Sequence, residues 1–590
     1  MIATASTKSR TSFDTRRADT GPDLGYFRRR YPELVTNFGA LPRREEWLRR
    51  IWELDERWQK AWETHGGESP AEEAIVRGAP PAGLSIEGEF DIIYAGGVLG
   101  LLHAAVMASR YKRRVLVFDA HDVGRTHRDW NISDEELREF GRAGLFTQEE
   151  IERAVVNRYR AGFVKFHDAA SRVKAERLWM NGVLDVAVDA DTLLHLAAEK
   201  LRARGPDSCA LMDGVRFVRA YVEPHRVTVE VEDVRGVRRL FAARLFVDST
   251  GTNSAIARQL NGGRAMTHVC PTVGTVASGF VRGEDEPDKV DFSVGEILVS
   301  TEDASEHRQL IWEGFAGAPA RDEYTTYLFF YDAVDSPADK SLLSLFERYF
   351  ASLAGYKRAG AGWRVRKPVF GYIPSFHRQG WRKRKRTSDD RVMLVGDSAG
   401  LSSPLTFCGF GSHVRNLRRL THLTNLALEA DLTDAASLSE VSAYEPRVAQ
   451  MASLAEFLRP APKGAPGSVN ETLNAVMAAL HTLDERVRRE LFQDRMTFGA
   501  LKSLLGHTAK LYPRIFTRVR EHLGARGTLW WVAGIAEAVL SERRGRAAAL
   551  TSSAAGDGRD AAQAPGEGAA HEFARHVALY KNGNGAGDFE

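Results

Sequence analysis

The chain has 590 residues, of which 43% are hydrophobic, 27% charged and 9% aromatic, a balance typical of globular proteins with large cores. Its 81 Lys and Arg nearly balance 78 Asp and Glu, so the charge does not indicate a nucleic-acid partner. The three cysteines include no CxxC pair, which excludes a disulfide framework and a cysteine-based metal site. We therefore expect a cytoplasmic protein without a metal site.

The hydrophobic pattern changes along the chain, and these changes predict the domain organisation. Helical spacing, strand patterns with glycine turns, short β-rich runs and further helices follow one another. A tail rich in Ala and Gly comes last. The predicted segments are a helical preface with a linker (1–85), the first part of a doubly wound, Rossmann-like α/β domain (86–265), an inserted antiparallel β-sheet domain (266–384), the second part of the α/β domain (385–430), a helical region (431–548) and a disordered tail (549–590).

A glycine turn between a predicted strand and a predicted helix gives the first indication of a ligand. Gly97 would let a pyrophosphate approach the backbone at the start of the helix, and Gly100 would let helix and strand pack closely. Asp119 ends the next predicted strand, where a carboxylate accepts hydrogen bonds from ribose hydroxyls. The arrangement predicts a dinucleotide site.

The same motif departs from the usual GxGxxG pattern at its first position. Ala95 stands where the first glycine is expected, and the neighbouring Gly96 can form the tight turn instead. The alternative interpretation is an ordinary glycine turn between a strand and a helix, without a ligand.

Two later stretches indicate that the dinucleotide is FAD. Asp397 follows a predicted strand and resembles the residue that holds the ribityl hydroxyls in two-domain flavoproteins. Backbone N–H groups near Gly409 and Gly411, at the start of a helix, would face the flavin pyrimidine and favour its anionic reduced form. The stretch 248–251 resembles the middle motif of the same class. We therefore predict an FAD-binding protein.

Several stretches together resemble the FAD-dependent lycopene cyclases of the CruA/CruP type, relatives of other carotenoid cyclases and of geranylgeranyl reductases. The resemblance extends over residues 88–430. The stretches that carry it are FDIIYAGGVLG (90–100), HRDWNIS (127–133), WEGF (312–315), TTY (325–327), and GDS (396–398) with GFG (409–411).

The resemblance implies an isomerisation of lycopene or a related carotenoid or isoprenoid. An acid protonates the linear ψ-end, the carbocation closes a ring, and loss of a proton leaves a β- or γ-ionone ring. Reduced FAD is required although no net redox change occurs, because an anionic flavin stabilises the cation while water is kept out. NADPH or another reductant would supply the electrons.

Two carboxyl groups are candidates for the acid. Strand alternation places Glu313 on one face with Ile311 and Phe315, where loss of solvation keeps a carboxyl protonated. The resemblance to related cyclases implies the same role for Glu313. The alternative is a solvent-facing or salt-bridged glutamate. Asp129 is the second candidate, and its alternative is a capping carboxylate at the helix near Asp134.

Aromatic side chains can stabilise a carbocation because their ring faces attract positive charge. Each of the candidates can equally be an ordinary core residue. The candidates are Trp130, Trp179, Trp312, Tyr327 and Phe410.

The basic run from Arg382 to Arg386 predicts peripheral contact with an anionic membrane, where carotenoids reside. Its alternative is a solvated loop. Two other functions stay open for the whole chain. One is an FAD-dependent oxidoreductase, such as a prenyl reductase or monooxygenase, and the other is a non-catalytic FAD-binding paralogue.

Overall fold

The structure is a computed structural model, and it describes residues 21–63, 73–376, 385–400, 409–441, 454–461, 464–554 and 567–582. Strands occur between residues 75 and 394 and form three sheets. The strands are β1 (Ile75–Arg77), β2 (Ile86–Ala95), β3 (Val115–Phe118), β4 (Trp130–Ile132), β5 (Val155–Arg158), β6 (Ala161–Lys165), β7 (Leu178–Met180), β8 (Val186–Val188), β9 (Cys209–Met212), β10 (Val215–Val222), β11 (Val227–Asp233), β12 (Arg238–Asp248), β13 (His268–Phe280), β14 (Val294–Val299), β15 (Ile311–Ala316), β16 (Glu323–Phe329), β17 (Asp332–Ala333), β18 (Ala359–Ser375), β19 (Ser388–Asp389) and β20 (Val392–Leu394).

Helices precede, connect and follow these strands. The helices are α1 (Leu24–Arg30), α2 (Pro32–Asn37), α3 (Arg44–Glu63), α4 (Leu99–Ser109), α5 (Asp134–Leu137), α6 (Glu139–Arg142), α7 (Gln148–Ala154), α8 (Ala190–Arg202), α9 (Ala255–Leu260), α10 (Leu342–Ser352), α11 (Gly409–Glu429), α12 (Ala435–Val441), α13 (Ser468–His481), α14 (Glu485–Phe492), α15 (Phe498–Leu511), α16 (Ile515–Ala554, interrupted at Gly524) and α17 (Glu567–Asn582).

The first sheet has nine strands and contains the predicted α/β domain. Its parallel part runs in the order β9-β3-β2-β12-β20, while β10 and β11 form an antiparallel extension against the first half of β12. Helix α4 leads from β2 to β3 and is buried over residues 100–108, which explains why it is apolar on every side. Strand β20 returns from the second predicted segment, so this Rossmann-type α/β domain is discontinuous in sequence.

The second sheet has eight strands, in the order β17-β13-β16-β15-β14-β6-β7, with β18 also paired to β13. Its pairings are antiparallel except between β14 and β6. Strands β6 and β7 come from residues within the segment assigned above to the first part of the α/β domain. A small antiparallel sheet, β4-β8-β5, completes the set.

The preface is docked onto the second sheet through α3. The buried Asp55 carboxylate accepts hydrogen bonds from the backbone N–H of Leu342 (2.8 Å) and from the Tyr372 hydroxyl (2.8 Å). It thereby satisfies the start of α10, whose N–H groups have no partner within their own helix. Trp58 stacks on Tyr372 with ring centroids 4.3 Å apart. The preface is therefore part of the packed structure.

The C-terminal region is helical, and the structure differs from the disordered tail that composition predicts. Residues 567–582 form α17, which packs on α11 and α16. Phe573 and His576 are buried there, with Val577 packed against the same core. Spacing of three and four residues places these side chains on one buried face of the helix, which overall composition conceals. Every helix in the described parts of the chain is too short or too polar to cross a bilayer.

Candidate functional site

A cavity of about 2090 Å³ lies between the two large sheets and α3. On one side it is lined by loops at the carboxyl ends of the parallel strands β2, β3, β12 and β20, and by the first residues of α11. On the other side it is lined by β15, β16 and β18 of the second sheet. Ligands of open parallel sheets bind at the carboxyl ends of the strands, so the cavity is the candidate site.

The glycine turn after β2 packs tightly against the loop that follows β12. Gly96 has a φ of 109°, and a Cβ there would overlap the carbonyl group of Ser249. A Cβ on Gly100 would overlap the Ser249 side chain, whose hydroxyl donates to the carbonyl of Ala95 (2.8 Å). Gly96 and Gly100 thus lie behind the cavity wall, where they let helix α4 and β12 approach each other.

Gly97 lines the cavity itself and is joined to Asp119. Its backbone N–H donates to Oδ2 of Asp119 (2.7 Å), and the backbone N–H of His121 donates to Oδ1 (2.8 Å). Each carboxylate oxygen can accept a further bond. Val98, at the N-cap of α4, provides no side-chain cap. The start of α4 therefore faces the cavity without a capping side chain.

The predicted middle motif connects the two parts of the α/β domain. Asp248 is buried, which raises the pKa of its carboxyl group, and it accepts from the hydroxyl of Thr250 (2.7 Å). The backbone N–H of Gly251 donates to the Ser398 hydroxyl (3.0 Å). Gly251 lines the cavity with a φ of 89°, and a Cβ there would meet nothing within 4 Å. This stretch of backbone is open to a ligand.

Asp397 lines the cavity after β20. Oδ2 of Asp397 lies 3.8 Å from Nη1 of Arg128, which also lines the cavity. Nζ of Lys385 donates to the backbone carbonyl of Ser398 (3.0 Å). Burial lowers the pKa of Lys385 to about 7, although Asp397 and Asp248 raise it.

Lys385 corrects one part of the membrane prediction. It is 7% exposed, so it belongs to the interior of the α/β domain and not to an exposed basic run. Arg386 is exposed, with Nη2 4.0 Å from Asp389. Residues 382–384 lie outside the described residues.

Two predicted glycines at the start of α11 have different surroundings. Gly409 lines the cavity. Gly411 adjoins the buried carboxylate of Glu136, which a Cβ would overlap and which is paired with Arg415. The space that Glu136 occupies thus explains why residue 411 is a glycine.

Glu313 lies on β15 and faces the cavity from the second sheet. It is 6% exposed, its Oε1 has no hydrogen-bond partner, and no ion pair forms with it among the described residues. Burial raises the pKa of its carboxyl group well above 4.5. A solvent-facing or salt-bridged glutamate, the alternative considered above, does not match these surroundings. A buried neutral carboxyl group can donate a proton to a bound molecule.

Asp129 also lines the cavity, but its carboxylate has partners. Oδ1 lies 2.7 Å from Nζ of Lys367, and Oδ2 accepts from the Thr325 hydroxyl (3.0 Å). The helix that follows is capped by Ser133, so Asp129 has no capping role. An ion-paired carboxylate is suited to hold position and charge, whereas the unpartnered Glu313 is suited to donate a proton.

Three of the five predicted aromatic side chains line the cavity. Trp130 and Phe410 are stacked, with ring centroids 4.1 Å apart and an angle of 19° between the rings. Tyr327 is the third. Trp312 is buried on the other face of β15, and Trp179 lies on β7, outside the cavity lining. These two are core and sheet residues.

The preface contributes to the cavity, although no motif in its sequence indicates a site. Arg50 on α3 lines the cavity, and its Nη2 lies 3.4 Å from Nδ1 of His127, whose Nε2 lies 2.9 Å from the carbonyl of Phe370. Burial lowers the pKa of Arg50, Arg57 lowers it further, and Asp119 raises it. Among the described residues, no carboxylate lies within ion-pair distance of Arg50. In the sequence, α3 was visible only through its helical spacing of apolar residues.

His413 is a second residue that sequence reasoning missed. It lines the cavity near the start of α11, is 7% exposed, and its Nε2 has no hydrogen-bond partner. Burial lowers its pKa to about 4. The imidazole is therefore neutral near pH 7 and can donate or accept one hydrogen bond in the cavity.

No protein-family model matches the chain, and no curated protein matches it. Among solved structures, a geranylgeranyl bacteriochlorophyll reductase-like protein from Thermoplasma acidophilum is 13% identical, with a TM-score of 0.49 over 73% of this chain and 99% of that one. The p-nitrophenol 4-monooxygenase PnpA from Pseudomonas putida is 14% identical, with a TM-score of 0.47 over 71% and 99%. The halogenase PltM, in complex with phloroglucinol and FAD, is 14% identical, with a TM-score of 0.48 over 84% and 98%.

Proposed function

We propose that the cavity binds FAD. The residues present fit this cofactor: Gly97 and Gly251 offer backbone at the strand ends, Asp119 has free acceptor positions for ribose hydroxyls, and Asp397 is placed for the ribityl chain. The start of α4, which has no side-chain cap, is suited to the pyrophosphate because its N–H groups and helix dipole favour an anion. Saturating folded protein with FAD and recording its visible spectrum tests this proposal directly.

The volume of the cavity supports a second ligand beside the cofactor. At about 2090 Å³ it exceeds the roughly 300–1,000 Å³ of an ordinary ligand pocket. The part opposite the α/β domain is lined by β15, β16 and β18, with apolar and aromatic side chains such as Phe315, Val369 and Ile373. We infer that this part receives an apolar substrate of the carotenoid or isoprenoid class.

Arg50, which lies in the preface, also supports the binding of FAD. A partly buried guanidinium without a carboxylate partner is destabilising unless an anion approaches it. Arg50 lies in the same cavity as Gly97 and Asp119. We infer that it pairs with a phosphate group of the bound dinucleotide, so that α3 closes the outer side of the cofactor site.

The reaction we propose is acid-catalysed cyclisation of the linear ψ-ends of lycopene or a related carotenoid. One observation carries this proposal: Glu313 is a buried, unpartnered carboxyl group that faces the cavity. A general acid that acts on an alkene must stay protonated near neutral pH, and burial provides this condition. The resemblance to lycopene cyclases assigns the same residue by its WEGF stretch.

The proposed steps conserve atoms and electrons. The Glu313 carboxyl group gives its proton to the terminal alkene, and the carbocation that results adds to a second alkene and closes the ring. A ring carbon then loses a proton to a base in the cavity, and the Glu313 carboxylate left by the first step is the nearest candidate. The product is an isomer of the substrate with a β- or γ-ionone end group. FAD in its reduced, anionic form would supply negative charge beside the cation.

Other side chains of the cavity would protect and orient the cation. The faces of Tyr327 and of the stacked pair Trp130 and Phe410 can attract its positive charge. The ion pair of Asp129 with Lys367 would hold the strand ends in place at the border between the two sheets. Apolar walls exclude water, which would otherwise capture the cation.

Expression in a bacterial host that accumulates lycopene tests the cyclase proposal. Chromatography of the pigments should reveal monocyclic or bicyclic products with the parental chain and only lycopene with Glu313→Gln. Flavin-loaded, folded protein that leaves lycopene unchanged would reject the cyclase proposal and would favour a non-catalytic FAD-binding role.

An FAD-dependent oxidoreductase, acting as a prenyl reductase or monooxygenase, is the second candidate. The observation that favours it is the lining contributed by α3, where four basic residues outnumber three glutamates, because a basic surface attracts the phosphates of a reductant such as NADPH. The basic residues are Arg49, Arg50, Arg57 and Lys60, and the acidic ones are Glu46, Glu53 and Glu56. Consumption of one NADPH per product would support this candidate. A cyclase needs reduced flavin but consumes no reductant in each turnover.

We also propose peripheral contact with anionic membranes, from which an apolar substrate would be taken. Since Lys385 is buried, the basic residues relevant to this contact are Arg382, Lys383, Arg384 and Arg386. Replacing these four by glutamine should weaken binding to anionic vesicles more than to neutral ones, because the attraction is electrostatic. Equal loss on both kinds of vesicle would contradict the proposal.

A further inference from the structure

Two histidines and a glutamate meet at a place outside the cavity lining. They are His422 on α11, and Glu572 and His576 on α17. Their side-chain ligand atoms all lie within 4.8 Å of one another. Nε2 of His422 and Nδ1 of His576 are only 2.7 Å apart. None of the three lines the cavity.

The packing of α17 on α11 holds this cluster together. Phe573 and Val577 of α17 pack against the same core as α11, which fixes the rotation of the helix. Glu572 and His576 are four residues apart, so they project from one face of α17 toward α11. His576 is 6% exposed, and His422 and Glu572 are partly buried.

The donor types suit a transition-metal ion. Two imidazole nitrogens and one carboxylate oxygen are a common protein contribution to zinc, with a fourth position left to water. The Tyr111 hydroxyl lies 3.4 Å from the other ring nitrogen of His422, where it can orient that ring.

We propose that His422, Glu572 and His576 form a binding site for Zn²⁺ or a similar divalent transition metal, which fastens α17 to α11. With zinc–nitrogen distances of about 2.0–2.1 Å and tetrahedral geometry, the two ring nitrogens would be about 3.3 Å apart. Small side-chain rotations provide this increase from the direct hydrogen bond of 2.7 Å. The site does not depend on the proposed flavin chemistry.

The test uses the full chain, without a histidine affinity tag, after chelator treatment and dialysis. Titration with zinc chloride, followed by calorimetry, should give one site per chain and should raise the midpoint of thermal unfolding. Titration with cobalt chloride should produce visible absorption bands of a site with nitrogen ligands. A folded chain that binds neither metal, or in which neither changes the unfolding midpoint, would overturn the proposal.

Variants assign the ligands. His576→Ala and His422→Ala should each weaken zinc binding by more than the roughly 10- to 100-fold that outer-shell partners are worth, and Glu572→Gln, which preserves shape, should weaken it as well. The matched control is His195→Ala, which removes an exposed histidine paired with Glu199 at the same four-residue spacing. Zinc affinity unchanged in folded Glu572→Gln and in the His422→Ala/His576→Ala double variant would overturn the assignment.

Discussion

Glu313 of β15 and Tyr327 of β16 are directly paired across two antiparallel strands, and both side chains line the same cavity. Residues in register on neighbouring strands project to the same face of a sheet. The proposed acid therefore has an aromatic ring as its neighbour, where a cation formed by proton transfer would be stabilised. Trp312, one position earlier in β15, projects to the opposite face and belongs to the core.

The first prediction concerns catalysis by Glu313. Glu313→Gln should abolish ring formation while FAD stays bound, because the amide fills the same space but cannot deliver a proton to an alkene. The measurement is conversion of lycopene by purified protein with reduced FAD. Glu323→Gln is the matched control, since Glu323 lies on the neighbouring strand, outside the cavity lining, and should retain parental activity. If folded, flavin-loaded Glu313→Gln converted lycopene at the parental rate, Glu313 would not be the acid, and Asp129 would be the next candidate.

The second prediction concerns stability and pH. The pKa of Glu313 is raised above its ordinary value of 4.5 in the folded chain, so the unfolded chain loses this proton at lower pH than the folded chain does. Above pH 4.5 the folded state therefore holds more protons, and its free energy of unfolding falls as the pH rises, by up to about 1.4 kcal/mol per pH unit. The fall ends at the folded pKa.

Glu313→Gln removes this contribution to the pH dependence. We expect the midpoint of thermal unfolding of the variant to rise relative to that of the parental chain as the pH is raised above 4.5. Comparing the two chains at a series of pH values in saturating FAD checks this. Parallel curves for the two proteins would show that Glu313 titrates normally.

The third prediction concerns the close packing of α4. Gly100→Ala should destabilise the chain by about 1–3 kcal/mol, because the added methyl group would overlap the side chain of Ser249. Ser249→Gly in the same chain should recover part of this loss, since it removes the overlapping atoms. Thermal unfolding of the two single variants and the double variant measures the coupling. Simple additivity of the two effects would contradict the contact.

The fourth prediction concerns the preface. Arg50→Ala should weaken FAD binding by about tenfold or more, because a hydrogen bond to a charged group contributes about 1.5–3 kcal/mol. Arg44→Ala, on the same helix but outside the cavity lining, is the control and should bind FAD normally. The loss should shrink at high salt, since the attraction is screened. Equal FAD affinity in both variants would remove α3 from the cofactor site.

The fifth prediction concerns the interior position of Lys385. Lys385→Glu should destabilise the chain, because it places a carboxylate beside Asp248 and Asp397 in a buried region. Arg386→Glu should have little effect, since Arg386 is exposed. Thermal unfolding of the two variants tests the difference. Similar midpoints would indicate that both residues lie in solvent.

Strong local signals in the sequence were enough to predict several elements. The strand, glycine turn and helix around Gly97 are confirmed as β2 and α4. Alternation along β15 correctly indicated that Glu313 and Phe315 face one way. These features depend on spacing of two to four residues, which any local window contains.

Only the tertiary structure decided which distant residues meet. Arg50 reaches the cavity because α3 is docked through Asp55 and Trp58 onto the second sheet. Local patterns assigned Gly411 to cofactor binding, but the neighbouring Glu136 explains why this residue is a glycine. Local patterns assigned Lys385 to membrane contact, but it is buried and donates to the carbonyl of Ser398.

The cluster of His422, Glu572 and His576 shows most clearly that local patterns do not reveal contacts between distant residues. His422 and His576 are separated by 154 residues in sequence, and no motif joins them. Side-chain contact across such distances depends on how whole helices pack, and helix packing is set by the combined burial of many apolar residues. A local pattern therefore predicted the helix that carries His422. The contact of His422 with His576 could be seen only in the folded structure.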